Sequence, residues 1–117
     1  MVTKLAIIGS RTFNDWDFLW NKMTEHFPNL DGATIISGGA CGADALAKRF
    51  AEASGLSYEE FPADWDRYGK SAGVRRNTQI IEASDIVCAF WDGESRGTWD
   101  SVKKAIDRKK TIFCFIF

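Results

Sequence analysis

The chain has 117 residues, and this length predicts one domain spanning residues 1–117. Its composition, with 45% hydrophobic and 26% charged residues, is typical of a globular protein. A formal net charge of −1 disfavours long nucleic acid as a partner, although a few arginines suffice to bind one phosphate. The longest apolar stretch, residues 112–117, is too short to cross a bilayer, and no signal-peptide core follows Met1, so we expect a cytoplasmic protein.

The three cysteines are far apart and form no metal-binding pattern, so we expect neither a disulfide framework nor a metal site. No cofactor motif is recognised. Cys88 and Cys114 lie in apolar runs and are expected to be small core residues. His26, the only histidine, is expected to be exposed at a helix end.

Strand and helix patterns alternate along the chain. Apolar runs predict strands at residues 5–8, 34–36, 56–61, 86–91 and 111–117, the third being polar enough for a sheet edge. Apolar stripes predict helices over residues 14–27, 43–51, 74–83 and 99–106, with Asn14 as the first N-cap. This alternation predicts an α/β fold, namely a Rossmann-like three-layer sandwich whose mostly parallel sheet of about five strands has helices on both faces.

The segments with unusual polar chemistry all follow the carboxyl ends of predicted strands. In an open parallel sheet these ends share one edge, where ligands bind. The candidate ligand-binding residues in these loops are Gly9, Ser10 and Arg11; Ser37, Gly38, Gly39, Ala40, Gly42 and Asp44; Asp64, Trp65, Lys70, Arg76 and Asn77; and Asp92, Gly93, Ser95, Arg96, Gly97 and Thr98.

The loop after the second strand is the strongest of these elements. Gly38, Gly39 and Gly42 allow positive φ and close approach of a ligand, and the helix that follows directs its N-terminal N–H groups to the same place. A tight turn without a ligand is the alternative, which three glycines in five positions disfavour. Asp44 fits two roles equally well, a helix-start carboxylate or an acceptor for a ribose hydroxyl.

Two familiar nucleotide-binding motifs are excluded. The first strand is not followed by G-x-G-x-x-G, and residues 69–71 imitate the end of a P-loop whose required upstream glycine is Asp64. Among the basic residues, Arg11 and Arg96 flank loop glycines, whereas Arg76 opens a helix from which its guanidinium can reach a phosphate. Trp65 is a candidate for stacking on a base.

With these motifs in view, the sequence resembles the SLOG superfamily, the Rossmann-like group named after Smf/DprA and LOG proteins, and most closely its YspA-related branch. The resemblance implies the same fold, binding of nucleotides or nucleotide-derived ligands at the strand ends, and frequent oligomers. The matching words are Ile8-Gly9-Ser10-Arg11 with Phe13, Ser37-Gly38-Gly39-Ala40 with Gly42-Ala43-Asp44, Pro62-Ala63-Asp64-Trp65, Gly69-Lys70-Ser71-Ala72-Gly73, Arg76-Asn77, and Phe90-Trp91-Asp92-Gly93 with Ser95, Gly97 and Thr98.

The resemblance also bears on catalysis. LOG enzymes cleave the N-glycosidic bond of nucleoside monophosphates with an arginine, which Arg76 matches, and a glutamate, whose position here is Ser101. The absent glutamate puts hydrolysis of this type in doubt, because a carboxylate is needed to stabilise an oxocarbenium-like state. Asp92, Asp100 and Arg76 remain the catalytic candidates, and a non-enzymatic role is favoured.

Three functions are therefore weighed. The first is a module that senses or sequesters a nucleotide-derived ligand, such as an ADP-ribose-type molecule. The second is a LOG-like hydrolase that cleaves a glycosidic or phosphate bond, and the third is DprA-like binding of single-stranded DNA. The tryptophan-rich first helix and the resemblance predict a homo-oligomer, in a bacterium or, for a phage-encoded protein, in its host.

Overall fold

The computed structural model describes residues 3–117. Five parallel strands form one sheet in the order β3-β2-β1-β4-β5, which confirms the predicted fold. A single turn of 3₁₀ helix, Gly69–Ser71, links two of the helices. The elements are β1 (Lys4–Gly9), α1 (Trp16–His26), β2 (Thr34–Ser37), α2 (Ala43–Ser54), β3 (Ser57–Glu60), α3 (Trp65–Tyr68), α4 (Ala72–Ala83), β4 (Ile86–Trp91), α5 (Arg96–Asp107) and β5 (Thr111–Ile116).

Helix starts are where the structure differs from the sequence prediction. Asp15, not Asn14, is the N-cap of α1, because its carboxylate accepts the N–H of Phe18 at 3.0 Å. The short helix α3 was not predicted, since four residues are too few to show a periodic apolar stripe. Its N-cap is Asp64, whose carboxylate accepts the N–H of Arg67 at 3.1 Å. Both cap positions are thus occupied by aspartates, a preferred N-cap residue.

The helices cover both faces of the sheet, and alternate residues of each strand serve alternate layers. Leu5 and Ile7 of β1 pack with α1 and α2, whereas Ala6 and Ile8 pack with α4 and α5. The central strands β1 and β4 are buried on both faces, which explains their continuous apolar sequences. Burial of each large aliphatic side chain contributes about 1.5–3 kcal/mol.

The two edge strands are β3 and β5, so the prediction that the third strand lies at an edge is confirmed. The prediction for the cysteines is half right. Cys88 in β4 is buried, but Cys114 in β5 is exposed. The reason is its position, because an apolar residue on an edge strand is covered only where a helix lies above it. Within residues 3–117, no helix is long and apolar enough to cross a membrane.

The strand order of the sheet changes direction between β1 and β4, which makes this position the topological switch point. Strands β2 and β3 lie on one side of β1, and β4 and β5 lie on the other. Gly9 ends β1 at this point, where an added Cβ would lie 2.8 Å from the Cβ of Ala43 and would collide with the Phe90 carbonyl. The ends of β1 and β4 and the start of α2 therefore converge on one crevice, the expected location of a ligand in such a fold.

Candidate functional site

A cleft of about 440 Å³ opens at this crevice. It is bounded by the loops after β1, β2 and β4 and by the first turns of α4 and α5. We call it the switch-point cleft. Its lining residues are Ile8, Gly9, Ser10, Arg11, Thr12, Ala40, Asp44, Lys70, Gly73, Val74, Arg76, Asn77, Asp92, Ser95, Gly97, Thr98 and Ser101.

Ser10 connects the loops that form the floor of the cleft. Its buried hydroxyl accepts the N–H of Asp92 at 3.2 Å, and its carbonyl accepts the N–H groups of Phe13 and Ala43 at 3.1 and 3.3 Å. These bonds join the end of β1 to the end of β4 and to the start of α2. Arg11 follows on the exposed side, and its guanidinium makes no hydrogen bond or ion pair within the described residues. This guanidinium is therefore available to an anionic ligand.

The loop after β2 adopts a conformation that requires glycine. Gly39 and Gly42 both have φ of +74°, and a Cβ on Gly42 would collide with the backbone of Arg11. The Asp44 carboxylate accepts the N–H of Ala40 at 3.1 Å and so holds the loop against α2. No side chain caps the N-terminus of α2. Its first N–H, that of Ala43, donates to the Ser10 carbonyl, and the Asp44 carboxylate lies in its first turn.

Asp44 itself is half-buried on the cleft wall. Burial raises the pKa of its carboxyl, against the opposing effects of the Ala40 N–H and the positive charge of Arg76. Asp44 lies in the first turn of α2, the position of a helix-start carboxylate, and its bond to Ala40 additionally holds the preceding loop. The cleft-facing position leaves the carboxylate placed to accept a ligand hydroxyl as well.

The 3₁₀ turn Gly69–Ser71 and the first two turns of α4 supply two cations and an amide. Arg76 is half-buried and donates from Nη1 to the Gly38 carbonyl at 2.8 Å. Lys70 precedes α4 and is exposed. Asn77 donates to the Gly97 carbonyl at 3.4 Å and to Asp100 at 3.3 Å, and these bonds connect α4 to α5.

The loop after β4 is held by Asp92. Its Oδ1 accepts the N–H groups of Glu94 and Ser95 at 2.9 and 2.8 Å. These N–H groups, with that of Ser95 contributing most, hold the pKa of the Asp92 carboxyl below its usual range. Ser95 then caps α5 by accepting the N–H of Thr98 at 3.5 Å. Asp92 therefore orders this side of the cleft in addition to facing it.

The structure brings together most of the predicted site residues but not all. Several lie outside the cleft because the loops turn them away. Ser37, for example, is fully buried below its loop, and its hydroxyl finds no hydrogen-bond partner among residues 3–117. Gly39 is covered by Glu60, whose carboxylate carbon would lie 2.5 Å from a Cβ at that position. The predicted residues that do not line the cleft are Ser37, Gly38, Gly39, Gly42, Asp64, Trp65, Gly93 and Arg96.

Sequence reasoning missed five cleft residues, namely Ile8, Thr12, Gly73, Val74 and Ser101. Gly73 was missed because α4 begins at Ala72, two residues before the predicted start, and Val74 was missed because it was assigned to the apolar stripe of that helix. The signal for Ser101 was present in its spacing, because residues three and four apart on a helix share a face. Ser101 stands three positions after Thr98 and four after Gly97, and it is only 3% exposed.

The catalytic candidates differ in position. Arg76 and Asp92 face the cleft, whereas Asp100 does not line it and instead pairs with Lys104 at 2.7 Å. Ser101 occupies the cleft wall beside it. In the part of the chain that the structure describes, no three His, Cys, Asp or Glu side chains are grouped to hold a metal ion.

Comparisons with known proteins place this geometry in a family. The family model described as "YspA, cpYpsA-related SLOG family" matches residues 3–68. The Gene 61 protein of Mycobacterium phage D29 is 35% identical over 109 residues, which cover 87% of each protein.

Two solved structures share the fold. DNA processing protein A (DprA) from Streptococcus pneumoniae has a TM-score of 0.76 at 19% identity and covers 97% of this chain. DprA from Helicobacter pylori, described for its single-stranded DNA binding mode, has a TM-score of 0.70 at 22% identity and covers 96%. The chain spans 50% and 64% of these two DprA chains, so they support the fold alone. On the match to the family model and the phage relative, this chain belongs to the YspA, cpYpsA-related SLOG family.

Proposed function

We propose that this protein binds a nucleotide or nucleotide-derived ligand, such as an ADP-ribose-type signalling molecule, in the switch-point cleft, as a sensor or sequestering module. The observation that carries this proposal is the convergence of Arg11, Lys70 and Arg76 on one cleft. Guanidinium groups bind phosphate bidentately, and the Arg11 guanidinium, which has no partner within the described residues, is free to do so. Phosphate is therefore the group that this wall of the cleft fits best.

The other walls suit the remainder of a nucleotide. A volume of about 440 Å³ falls within the range of small-molecule sites. The carboxylates of Asp44 and Asp92 are acceptors for ribose hydroxyls, and the apolar side chains of Ile8 and Val74 offer surface to a base. These contacts support a ligand that combines phosphate, sugar and base.

The same residues support binding over hydrolysis. Asp92 already accepts two backbone N–H groups, and Asp44 accepts one, so both carboxylates hold the cleft together. Asp100 lies outside the cleft, and the position of the LOG glutamate is a serine, Ser101. The carboxylates of Asp44 and Asp92 are thus each committed through one oxygen to the loops, and the lining lacks the glutamate with which LOG enzymes support an oxocarbenium-like transition state.

Thermal unfolding with a ligand panel tests the proposal. The panel contains nucleoside mono-, di- and triphosphates, NAD, linear and cyclic ADP-ribose, and cyclic dinucleotides. A ligand present at a hundred times its Kd stabilises the folded state by about 2.7 kcal/mol, which raises the melting temperature. Recovery of the unchanged ligand afterwards supports a binding module, whereas released base or phosphate indicates a hydrolase.

A matched pair of arginine variants locates the site. Arg11, in the loop after β1, and Arg96, the first residue of α5, are both exposed, but only Arg11 lines the cleft. We expect Arg11→Ala to weaken ligand binding about tenfold or more, and Arg96→Ala to leave it within about twofold, because a charge-assisted hydrogen bond contributes about 1.5–3 kcal/mol. Equal effects of the two variants would argue against the cleft as the binding site.

A second candidate is binding of single-stranded DNA, favoured by the fold shared with H. pylori DprA. It opposes the prediction that long nucleic acid is disfavoured as a partner, which rests on the net charge of −1. Fluorescence anisotropy of a labelled oligonucleotide, titrated at low and high salt, distinguishes the two. Saturable binding that weakens steeply with salt would support DNA as the ligand. Its absence, together with a thermal shift by a small nucleotide, would support the first proposal.

A further inference from the structure

The two edges of the sheet differ in length and in charge. Strand β3 has four residues, including Glu59 and Glu60, which would repel their counterparts in any pairing of β3 with itself. Strand β5 has six residues and no charged side chain. Because an edge strand exposes unpaired backbone N–H and C=O groups, short length and charge protect it from association. The β3 edge is protected in this way, and the β5 edge is not.

Exposed apolar side chains are concentrated beside β5. Six large hydrophobic side chains are exposed among the described residues, and four belong to α5 or to the end of β5. We call these four the β5 patch: Trp99 (43% exposed), Ile106 (55%), Ile116 (58%) and Phe117 (43%). Trp99 stacks on Trp91, the β4 residue in register with Ile116, so these side chains share the α5 face of the sheet, whereas Phe117 projects to the other face, where its ring lies 4.6 Å from that of Phe13.

We infer that the β5 edge is an interface for a second copy of this chain, paired antiparallel about a two-fold axis at Cys114. Phe117 donates its N–H to the Trp91 carbonyl of β4. Because the backbone groups of successive residues in a strand point to opposite sides, those of Ile112, Cys114 and Ile116 point away from β4. In the antiparallel pair, Ile112 of one copy lies opposite Ile116 of the partner subunit.

Charge determines this orientation. Lys109 and Lys110 directly precede β5. A parallel pair would place the lysines of the two copies side by side, whereas an antiparallel pair moves them to opposite ends. In the antiparallel pair, the lysines of one copy approach the carboxyl end of β5 in the other copy. Asp92 and Glu94, which directly follow β4, lie at that end of the sheet. The antiparallel arrangement therefore separates the lysines of the two copies and brings them toward carboxylates.

The two-fold symmetry also explains why association stops at two copies. An isologous interface uses the same surface on both subunits and leaves none free for a third. The other edge, β3, is protected by its glutamates. The switch-point cleft lies between β1 and β4, away from the β5 edge, so the inference does not rest on the proposed ligand.

Cysteine cross-linking tests the register. Opposed residues of a hydrogen-bonded antiparallel pair have Cα atoms about 5.5 Å apart, within the range that a disulfide spans. Mild oxidation with copper phenanthroline should give a covalent dimer on a non-reducing gel for the natural sequence and for Cys41→Ser, but not for Cys114→Ser. Cys41 is the matched control, because it is also exposed, whereas Cys88 is buried. A dimer that survives Cys114→Ser, or no dimer at all, would overturn the inference.

The mass in solution tests the surface without relying on oxidation. Sedimentation equilibrium in reducing buffer should give the mass of two chains for the natural sequence and of one chain for Ile116→Lys. Trp65→Lys is the control, since Trp65 is similarly exposed (53%) but lies outside the patch, and it should stay dimeric. Circular dichroism checks that both variants are folded. A monomeric natural protein, or a dimer insensitive to Ile116→Lys, would contradict the proposed interface.

Discussion

Arg76 donates a hydrogen bond from Nη1 to the carbonyl oxygen of Gly38, 38 positions earlier in the chain, at 2.8 Å. A Cβ on Gly38 would lie 2.6 Å from the same nitrogen, so a larger residue there would force the Arg76 side chain to shift. It fastens the loop after β2 to α4 on the opposite wall of the cleft. A guanidinium has five N–H donors, so this bond leaves others free for a phosphate. The residue therefore has a structural role as well as the binding role that the sequence predicts.

The Arg76→Lys variant separates these roles. Lysine keeps the positive charge but lacks the planar fork that spans the loop and the cleft. We expect Arg76→Lys to lower the free energy of unfolding by about 1–2 kcal/mol. This value is at the low end for a hydrogen bond to a charged group, because Arg76 is half-exposed. Urea unfolding measures it. Arg75→Lys, at an exposed neighbour that stacks on Tyr68, should stay within about 0.5 kcal/mol. Equal losses in the free energy of unfolding for Arg76→Lys and Arg75→Lys would show that the contact between Arg76 and Gly38 does not stabilise the fold.

The Asp44→Asn variant should change how stability depends on pH. Burial raises the pKa of Asp44 above its ordinary value of 3.8, so the folded state holds this proton more tightly than the unfolded state. The contribution of Asp44 to the free energy of unfolding is therefore largest below pH 3.8 and falls as pH rises through the folded-state pKa. For one proton the slope is no steeper than about 1.4 kcal/mol per pH unit.

The neutral amide that Asp44→Asn introduces does not titrate, so the difference in stability between this variant and the natural sequence should change across this window. Urea unfolding at closely spaced pH values measures the difference. Asp17→Asn removes an exposed carboxylate in α1 and serves as the control for a change in net charge. A pH-independent difference for Asp44→Asn would contradict the prediction.

Two glycine substitutions should act in opposite directions. Gly42→Ala places a side chain at φ +74° and against the Arg11 backbone, and we expect a destabilisation of about 1–3 kcal/mol. Gly97→Ala lies in the first turn of α5 with nothing within 4 Å of the added Cβ. There we expect a stabilisation of about 0.4–1 kcal/mol, because alanine restricts the unfolded chain. Melting temperatures measure both, and a stable Gly42→Ala protein would show that the loop is not constrained as described.

Removal of the Phe13 ring should be among the most damaging changes outside the strands. Phe13 is 1% exposed, and its ring lies 5.1 Å from that of Phe90 and 4.6 Å from that of Phe117. We expect Phe13→Ala to lower the free energy of unfolding by about 3–5 kcal/mol, the usual loss for a buried aromatic residue. Trp65→Ala removes a larger but exposed side chain, and its loss should remain below about 1 kcal/mol. Chemical denaturation of both variants provides the measurement.

The strands could be read from the sequence because their requirements are local. A strand buried on both faces needs a continuous apolar run, and β1 and β4 have one. Helix boundaries were harder to predict, as Asp15 and Asn14 illustrate. Both are favourable caps, and only the backbone conformation decides which carboxylate or amide receives the N–H of Phe18.

Among the candidate site residues, the order of elements placed the loops at one edge but did not orient their side chains. Arg11 and Arg96 are alike in sequence, yet only Arg11 lines the cleft. Ser101 and Asp100 are adjacent, yet they project in directions about 100° apart because a helix has about 3.6 residues per turn. The exposure of Cys114 likewise follows from the place of β5 in the sheet, which its own apolar sequence does not encode.

The sequence by itself therefore determined the fold class, the strand runs and the edge of the sheet where polar loops gather, since these follow from short-range hydrophobic pattern and from the geometry of parallel strands. Only the tertiary structure decided which loop side chains share the cleft, that Arg76 holds the Gly38 carbonyl, and that β5 presents an unprotected edge. The physical reason is that burial and hydrogen bonding depend on neighbours distant in the chain, which no local pattern specifies.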